Sequence, residues 1–315
     1  MPAPLLPRSV VTTHYPKHCP APIDAHIPNA NESPASSTVQ NFPSTSKKGA
    51  ALRLVSTKDL AREDWLQVRR QGIGSSDAAT AVGLNPYQSP LELWMHKTGK
   101  AELLPAMDPN DESSPMYWGT LLEPIVAAHY TKRTGRKVRR INAVLQHADH
   151  AWMLANIDRE VVGCKDVQIL ECKTAGLHGA KLWRDGVPEY VQLQVMHQLA
   201  VTGYQAADVA VLICGQDLQI HRIERNDIMM AQLIALEQQF WEYVQSDVQP
   251  MADASQSAQL ALRCLYPQDS GETLDLSEEP DSAQAFLQLL QLRDRLTQMQ
   301  TQEALLKHQI QQRIG

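Results

Sequence analysis

The sequence predicts a mixed α/β fold, more strictly α+β, with a central mixed sheet flanked by helices. Three observations predict it. Residues 138–146, 152–158 and 167–173 form consecutive runs of strand length, and Ala206–Cys214 is almost wholly apolar, as a strand covered on both faces is. Met116–Thr134, Glu189–Thr202 and Arg225–Val248 carry helical periodicity. The 315 residues are 43% apolar and 20% charged, which suits one large globular domain with appendages.

Taken in order, residues 1–50 read as a disordered tail rich in Pro, Ser, Thr and Asn; Asn31–Thr38 has too little apolar area to offset its ordering entropy. His14, His18 and Cys19 lack a fourth ligand at a suitable spacing, so no metal site is read there. The fold begins near Leu52. Ser56 or Thr57 caps a helix through about Gln71, with Asp59, Glu63 and Asp64 in its first turns. Gly72–Ala79 then leads into a helix from Asp77 to Val82. Its first amides, the Ser76 hydroxyl and the Arg69 guanidinium suit a phosphate, although the same residues also make an ordinary capped turn. Asn85-Pro86-Tyr87 turns into a helix over Leu91–Thr98, with Pro90 at its start and Gly99 after its end.

The helix over Met116–Thr134 places Glu123, Ala127 and Tyr130 on one face and stops at Gly135. Glu123 stands among apolar neighbours, and the pattern leaves open whether it faces solvent or a cleft. His147 and His150 read as turn residues between the first two strands. A short helix near Gly179–Asp185 precedes Glu189–Thr202, which carries Gln192 and Gln194 near its start; Ala206–Cys214 and Leu218–Ile223 read as a hairpin. The domain is thus bounded at 51–248. A linker follows at 249–280, then a helical or coiled-coil arm at 281–315 with apolar residues near heptad spacing.

Composition narrows the function classes. The formal charge of −6 argues against a protein that coats nucleic acid over its whole surface, but not against a local basic groove. Lys132, Arg133, Arg136, Lys137, Arg139 and Arg140 form the densest basic cluster, either a solvated turn or a backbone-contacting patch. No apolar run reaches the roughly eighteen residues of a membrane span, and the N-terminal residues lack a secretory pattern. Five scattered cysteines without a CxxC pair fit reduced thiols and a cytoplasmic setting.

The chemistry centres on Asp158 and on Glu171-Cys172-Lys173. A strand has period two, so Glu171 and Lys173 share a face while Cys172 points to the opposite layer. A hairpin or meander from Asp158 to Glu171 brings both carboxylates beside the lysine. Two hard oxygen ligands and a cation suit Mg²⁺ and a phosphate. Asp158 and Glu171 would bind a first metal with the Cys172 carbonyl as a further ligand. Lys173 would orient or deprotonate water, or stabilise the transition state. Glu123 could complete a second metal position, and Gln192 or Gln194 could donate to the scissile phosphate. The competing reading is a surface hairpin salt bridge, because a lone E-x-K is common.

The ordered set of segments resembles the YqaJ-type viral recombinase nucleases, relatives of phage lambda exonuclease within the PD-(D/E)XK superfamily. The segments are Trp65–Arg69 with Gly72–Ala79, Asn85–Tyr87, Glu92–Trp94, Lys97–Gly99, Trp118-Gly119 with Glu123, Leu154–Asp158, Leu170–Lys173 and Gln192–Gln194, covering about Leu52 to Val248. The resemblance implies a restriction-endonuclease-like core with Asp158 and Glu171 as metal ligands, Lys173 as the catalytic lysine and Glu123 as an additional acid. It implies that Arg69 and Ser76 grip a terminal 5′-phosphate. Ile157 replaces the family's usual proline, and Arg159 stands where a glycine commonly follows the aspartate. The activity implied is a Mg²⁺-dependent exonuclease, with Mn²⁺ as a substitute, resecting duplex DNA ends 5′ to 3′ for a single-strand annealing partner. The resemblance implies a homo-oligomer, a ring-shaped trimer as in relatives, which nothing in this sequence itself shows. The alternatives are an endonuclease of the same fold and a catalytically silent DNA-binding module; intact Asp158, Glu171 and Lys173 speak against the latter.

Overall fold

The computed structural model describes residues 51–106, 108–273 and 275–315. The tail expected over residues 1–50 lies outside the described residues. The elements are β1 (Leu52–Ser56), α1 (Arg62–Arg70), β2 (Ile73–Gly74), α2 (Ala78–Ala81), α3 (Pro90–Lys97), α4 (Pro115–Thr134), β3 (Val138–Arg139), β4 (Ala143–Gln146), β5 (Met153–Ala155), β6 (Arg159–Val161), β7 (Ile169–Ala175), α5 (Glu189–Thr202), β8 (Ala206–Ile213), β9 (Asp217–Glu224), α6 (Asp227–Gln245), α7 (Gln256–Leu265) and α8 (Pro280–Ile314). A mixed α/β architecture is therefore present, but its strands form two sheets. One has the order β1-β4-β5-β2 and the other β3-β6-β7-β8-β9.

Several boundaries follow from local chemistry. Ser89 accepts from the Glu92 amide at 3.1 Å and caps α3, whose first residue is Pro90. Ser114 caps α4, and Gly135 closes it in the left-handed region at φ 71°. Other expectations change. Leu52–Ser56 is a strand rather than the approach to a helix: it pairs antiparallel with β4, so its backbone groups are satisfied across the sheet. The run 138–146 breaks into β3 and β4, which belong to different sheets. The segment expected to be a linker contains α7, whose Ala258 and Ala261 are buried as the helix packs on α3.

The larger sheet is covered on both faces, and its pleat sorts the side chains. Leu170, Ala210 and the partly buried Cys172 lie with Val126, Ala127 and Tyr130 of α4. Ile169, Val209 and Val211 lie on the other face with Val191, Val195 and Leu199 of α5. The same second core takes in Leu145, Met153 and Ala155 of the smaller sheet, so α5 lies between the two sheets. This explains why ten of the fourteen residues of α5 are buried. His197, fully buried on α5, pairs with Glu237 of α6 at 2.8 Å and reaches the Leu154 carbonyl of β5 at 3.0 Å. That double contact fixes α5 to both neighbours. The arm α8 has no buried residue, and no described helix is long and apolar enough to cross a membrane.

Candidate active site

β7 runs through the middle of the larger sheet, parallel to β8 and antiparallel to β6. Period-two alternation turns Glu171 and Lys173 toward α5, as expected from the sequence, and Cys172 toward α4. Glu171 is 2% exposed, so its charge has to be met inside the protein. Gln194 Nε2 donates to Oε1 at 2.6 Å, Gln198 Nε2 to Oε2 at 2.7 Å, and Lys173 Nζ stands 2.7 Å from Oε1. Lys173 also donates to Gln194 Oε1 at 2.8 Å, which closes a ring of three side chains. Gln194 and Gln198 are four residues apart, hence on one helical face.

Asp158 lies between β5 and β6, where the chain passes from the smaller sheet to the larger. The Cys172 amide donates to its Oδ2 at 2.8 Å, which brings the carboxylate beside the middle of β7. Burial pushes the Asp158 carboxyl up to about 8, and the Glu171 carboxylate adds to the effect. Lys173 is raised too: burial disfavours its charge, but Glu171 and Asp158 outweigh that and keep it an ammonium. A protonated lysine cannot take a proton from water; here it is a positive charge beside the acids.

The donor set suits a hard divalent cation. Two carboxylates repel one another until a cation joins them, and carboxylate oxygens with waters are the ligands Mg²⁺ and Mn²⁺ take. Gln198 Oε1 is buried and accepts from no described group, an unmet acceptor beside these acids that the water shell of an ion would suit. No group of three His, Cys, Asp or Glu side chains stands together to hold a metal among the described residues.

Glu123 and Gln192 depart from the expected set. Glu123 comes from α4, on the opposite face of the sheet, and its carboxylate is taken by Arg159 Nη1, with Arg140 at 3.8 Å. Gln192 donates to the Val187 carbonyl at 2.7 Å instead of joining Glu171. It is two residues from Gln194 and so points elsewhere on the helix. Sequence reasoning missed Gln198, whose signal was its spacing of four from Gln194.

The second constellation surrounds Arg69 at the end of α1. Its Nη2 donates to Ser76 Oγ at 2.8 Å and to Asp77 Oδ1 at 2.5 Å, and the guanidinium lies 4.9 Å from the Trp65 ring centre. Lys97 of α3 donates to Asp77 Oδ2 at 2.7 Å and to the Arg69 carbonyl at 2.8 Å, while the Gly74 amide reaches the same carboxylate at 3.1 Å. Burial would raise the Asp77 carboxyl, but Arg69 and Lys97 prevail and hold it well below the usual carboxylate range. A Cβ on Gly74 would stand 3.0 Å from Arg69 Nη2, and one on Gly72 2.4 Å from the Trp152 carbonyl. Both glycines therefore serve the close packing of this turn. Because β2 is parallel to β5, the residues that follow each strand, Ser75–Asp77 and Asp158, leave the same end of the smaller sheet. α5 touches the Ser75–Asp77 turn as well.

His147 Nδ1 accepts from the Asp149 and His150 amides at 3.0 and 3.1 Å, so the His147–His150 pair shapes a turn, as its place between two strands suggested.

Residues 64–205 match the YqaJ-like viral recombinase domain. The chain is 36% identical over 271 residues to a protein of Bacillus subtilis (strain 168) called "Uncharacterized protein YqaJ", covering 84% of this chain and 82% of that one. Among solved structures, an alkaline exonuclease (LHK-Exo) from Laribacter hongkongensis aligns with a TM-score of 0.48 at 21% identity, covering 59% of this chain and 94% of that one. A phage related exonuclease from Haemophilus somnus 129PT aligns with a TM-score of 0.37 at 9% identity, covering 56% and 96%.

Proposed function

The chain belongs to the YqaJ-like viral recombinase family, and from that membership we propose that it is a divalent-metal-dependent deoxyribonuclease of the lambda exonuclease type, with a PD-(D/E)XK core. Its substrate is the end of duplex DNA, resected 5′ to 3′ for a single-strand annealing partner, with Mg²⁺ as the ion and Mn²⁺ as a substitute. The observation that carries this reading is the pairing of partly buried Asp158 with buried Glu171, with Lys173 Nζ 2.7 Å from Glu171. Asp158 and Glu171 would hold a divalent ion, which would supply an activated water and charge stabilisation for phosphodiester hydrolysis. The chain's own groups do the rest. Gln194 and Gln198 hold both Glu171 oxygens, leaving the carboxylate no freedom to swing. Lys173 keeps a fixed positive charge where a phosphoryl oxygen gains charge.

The end preference rests on Arg69 and Ser76. Arg69 retains part of its exposure, Ser76 is exposed, and the two hydroxyl and guanidinium groups are already in contact. A terminal phosphate suits that pair, and the Asp77–Lys97 contact behind it keeps Arg69 in place. The parallel β2–β5 pairing supports a common cleft for the end-binding turn and the acids.

The test is linear duplex DNA with a 5′-phosphate or a 5′-hydroxyl, beside a closed circle, in Mg²⁺ and in EDTA. Loss of the linear forms only in Mg²⁺, fastest with the 5′-phosphate, is expected. Nicking of the circle would replace the exonuclease with an endonuclease of the same fold. No cleavage by folded protein would leave a DNA-binding module.

A further inference from the structure

The three acids named from the sequence do not form one cluster, and the strand register explains why. β6 and β7 are antiparallel with Arg159 opposite Leu170. Residues opposite one another share a face, so Arg159 faces with Leu170, and the next position along sets Asp158 with Glu171. Leu170 lies against α4. Glu171 is held from α5. The pleat therefore sends the Arg159 side chain toward Glu123 and the Asp158 side chain toward Glu171, although Glu123 stays near enough to add a little to the field at Asp158.

Charge is divided in the same way. Asp158 and Glu171 are two carboxylates with one ammonium, Lys173, beside them. Glu123 has a guanidinium of its own. Arg159 Nη1 donates to the Glu123 carboxylate and, at 2.6 Å, to the main-chain carbonyl of Asp158. The Arg159 side chain is 8% exposed, so solvent does little to screen it, and Arg140 stands 3.8 Å from the same carboxylate oxygen. A guanidinium does not lose its proton in a protein. A dication placed on Glu123 would meet that permanent charge at contact distance, in surroundings that magnify the repulsion.

We infer that Arg159 takes the place of a second metal ion: the chain binds one divalent cation, between Asp158 and Glu171, and Glu123 is the counter-ion of Arg159 rather than a metal ligand. This rests on the metal-dependent reading above. It makes Arg159 the residue that sets the metal count. The residue lies directly after Asp158 and is tied to its carbonyl, so it also positions that acid from behind.

The test counts Mn²⁺ bound to the DNA-free protein by calorimetry, with the free ion followed by electron paramagnetic resonance. The wild type is expected to bind one ion per chain. R159Q, which removes the charge and releases Glu123, should bind two, and R159Q/E123Q should return to one. R159K keeps a cation at the position and should stay at one, which separates charge from disturbed packing. Two ions in the wild type, or one in folded R159Q, would overturn the inference and leave the nuclease reading standing. No ion in the wild type would overturn both. The wild-type count decides the matter even if R159Q does not fold.

Discussion

Lys173 touches Glu171 and Gln194, and its side chain is only partly buried. Lys173→Ala should lower cleavage of linear duplex by about a hundredfold or more, the scale of a lost catalytic group, while the protein stays folded. Wild-type rates in that variant would remove the lysine from the mechanism. Asp77 has a structural role that pH can read. Its pKa is held below the unfolded value by Arg69 and Lys97, so it contributes stability above about pH 4, lost as pH falls below that. Asp77→Asn leaves Lys97, 5% exposed, without its ion pair and should cost about 3–5 kcal/mol at pH 7. Denaturant titrations of both proteins should begin to converge below pH 4 and draw together as pH falls toward the lower folded pKa. A constant difference down to pH 3 would mean that packing, not charge, is what Asp77 provides. The Glu171–Lys173 relation was legible in the sequence because strand period alone fixes it. The partners of Asp77 were not, because Arg69 and Lys97 are 8 and 20 residues away from it on separate helices.

At the scale of elements, α5 is the part that turns a strand into a site. It is wedged between the sheets, pinned by His197 to α6 and β5, and it presents Gln194 and Gln198 to Glu171. The helix was legible from residue 189 to 202, but an all-round buried helix has no polar face from which to infer direction. That is why Gln192 was grouped with Gln194. Gln192→Ala should leave cleavage near wild type, whereas Gln198→Ala should reduce it about tenfold or more by freeing one Glu171 oxygen. Equal losses in steady-state cleavage would contradict the pairing. The elements that escaped sequence reasoning are short or paired at a distance. β2 and β6 have two and three residues, too few for periodicity to register, and each exists because another strand completes its hydrogen bonds. In α7 the buried residues are two alanines, small side chains in a stretch read as linker, and α3 supplies the surface they pack on.

At the scale of the whole molecule, the arginines of the basic cluster at 132–140 have partners within the chain, although Arg133, Arg139 and Arg140 stay exposed. Arg136 pairs with buried Asp208 at 3.0 Å, Arg139 with Glu160 at 2.5 Å, Arg140 approaches Glu123 at 3.8 Å, and Arg133 donates to the Leu218 carbonyl. Lys132 and Lys137 are exposed. Lys132→Ala and Lys137→Ala are therefore expected to weaken duplex binding alike for all sequences, each lowering the salt slope by about one where it meets a phosphate. Arg136→Ala should instead lower stability by about 1–3 kcal/mol, through Asp208 and its 2.6 Å partner Tyr130. A steep salt slope lost in Arg136→Ala, with stability intact, would restore that arginine to the DNA-binding face. The sequence by itself determined the α/β class, the long helices, the strand carrying Glu171 and Lys173, and the order of the motifs. Each of these follows from local period or capping, which neighbouring residues impose on one another. Only the tertiary structure decided that the strands divide into two sheets, that Gln198 rather than Gln192 supports Glu171, and that Glu123 faces Arg159. Those outcomes depend on which face of a buried element meets which neighbour, and strand pairing and packing set that across long stretches of chain.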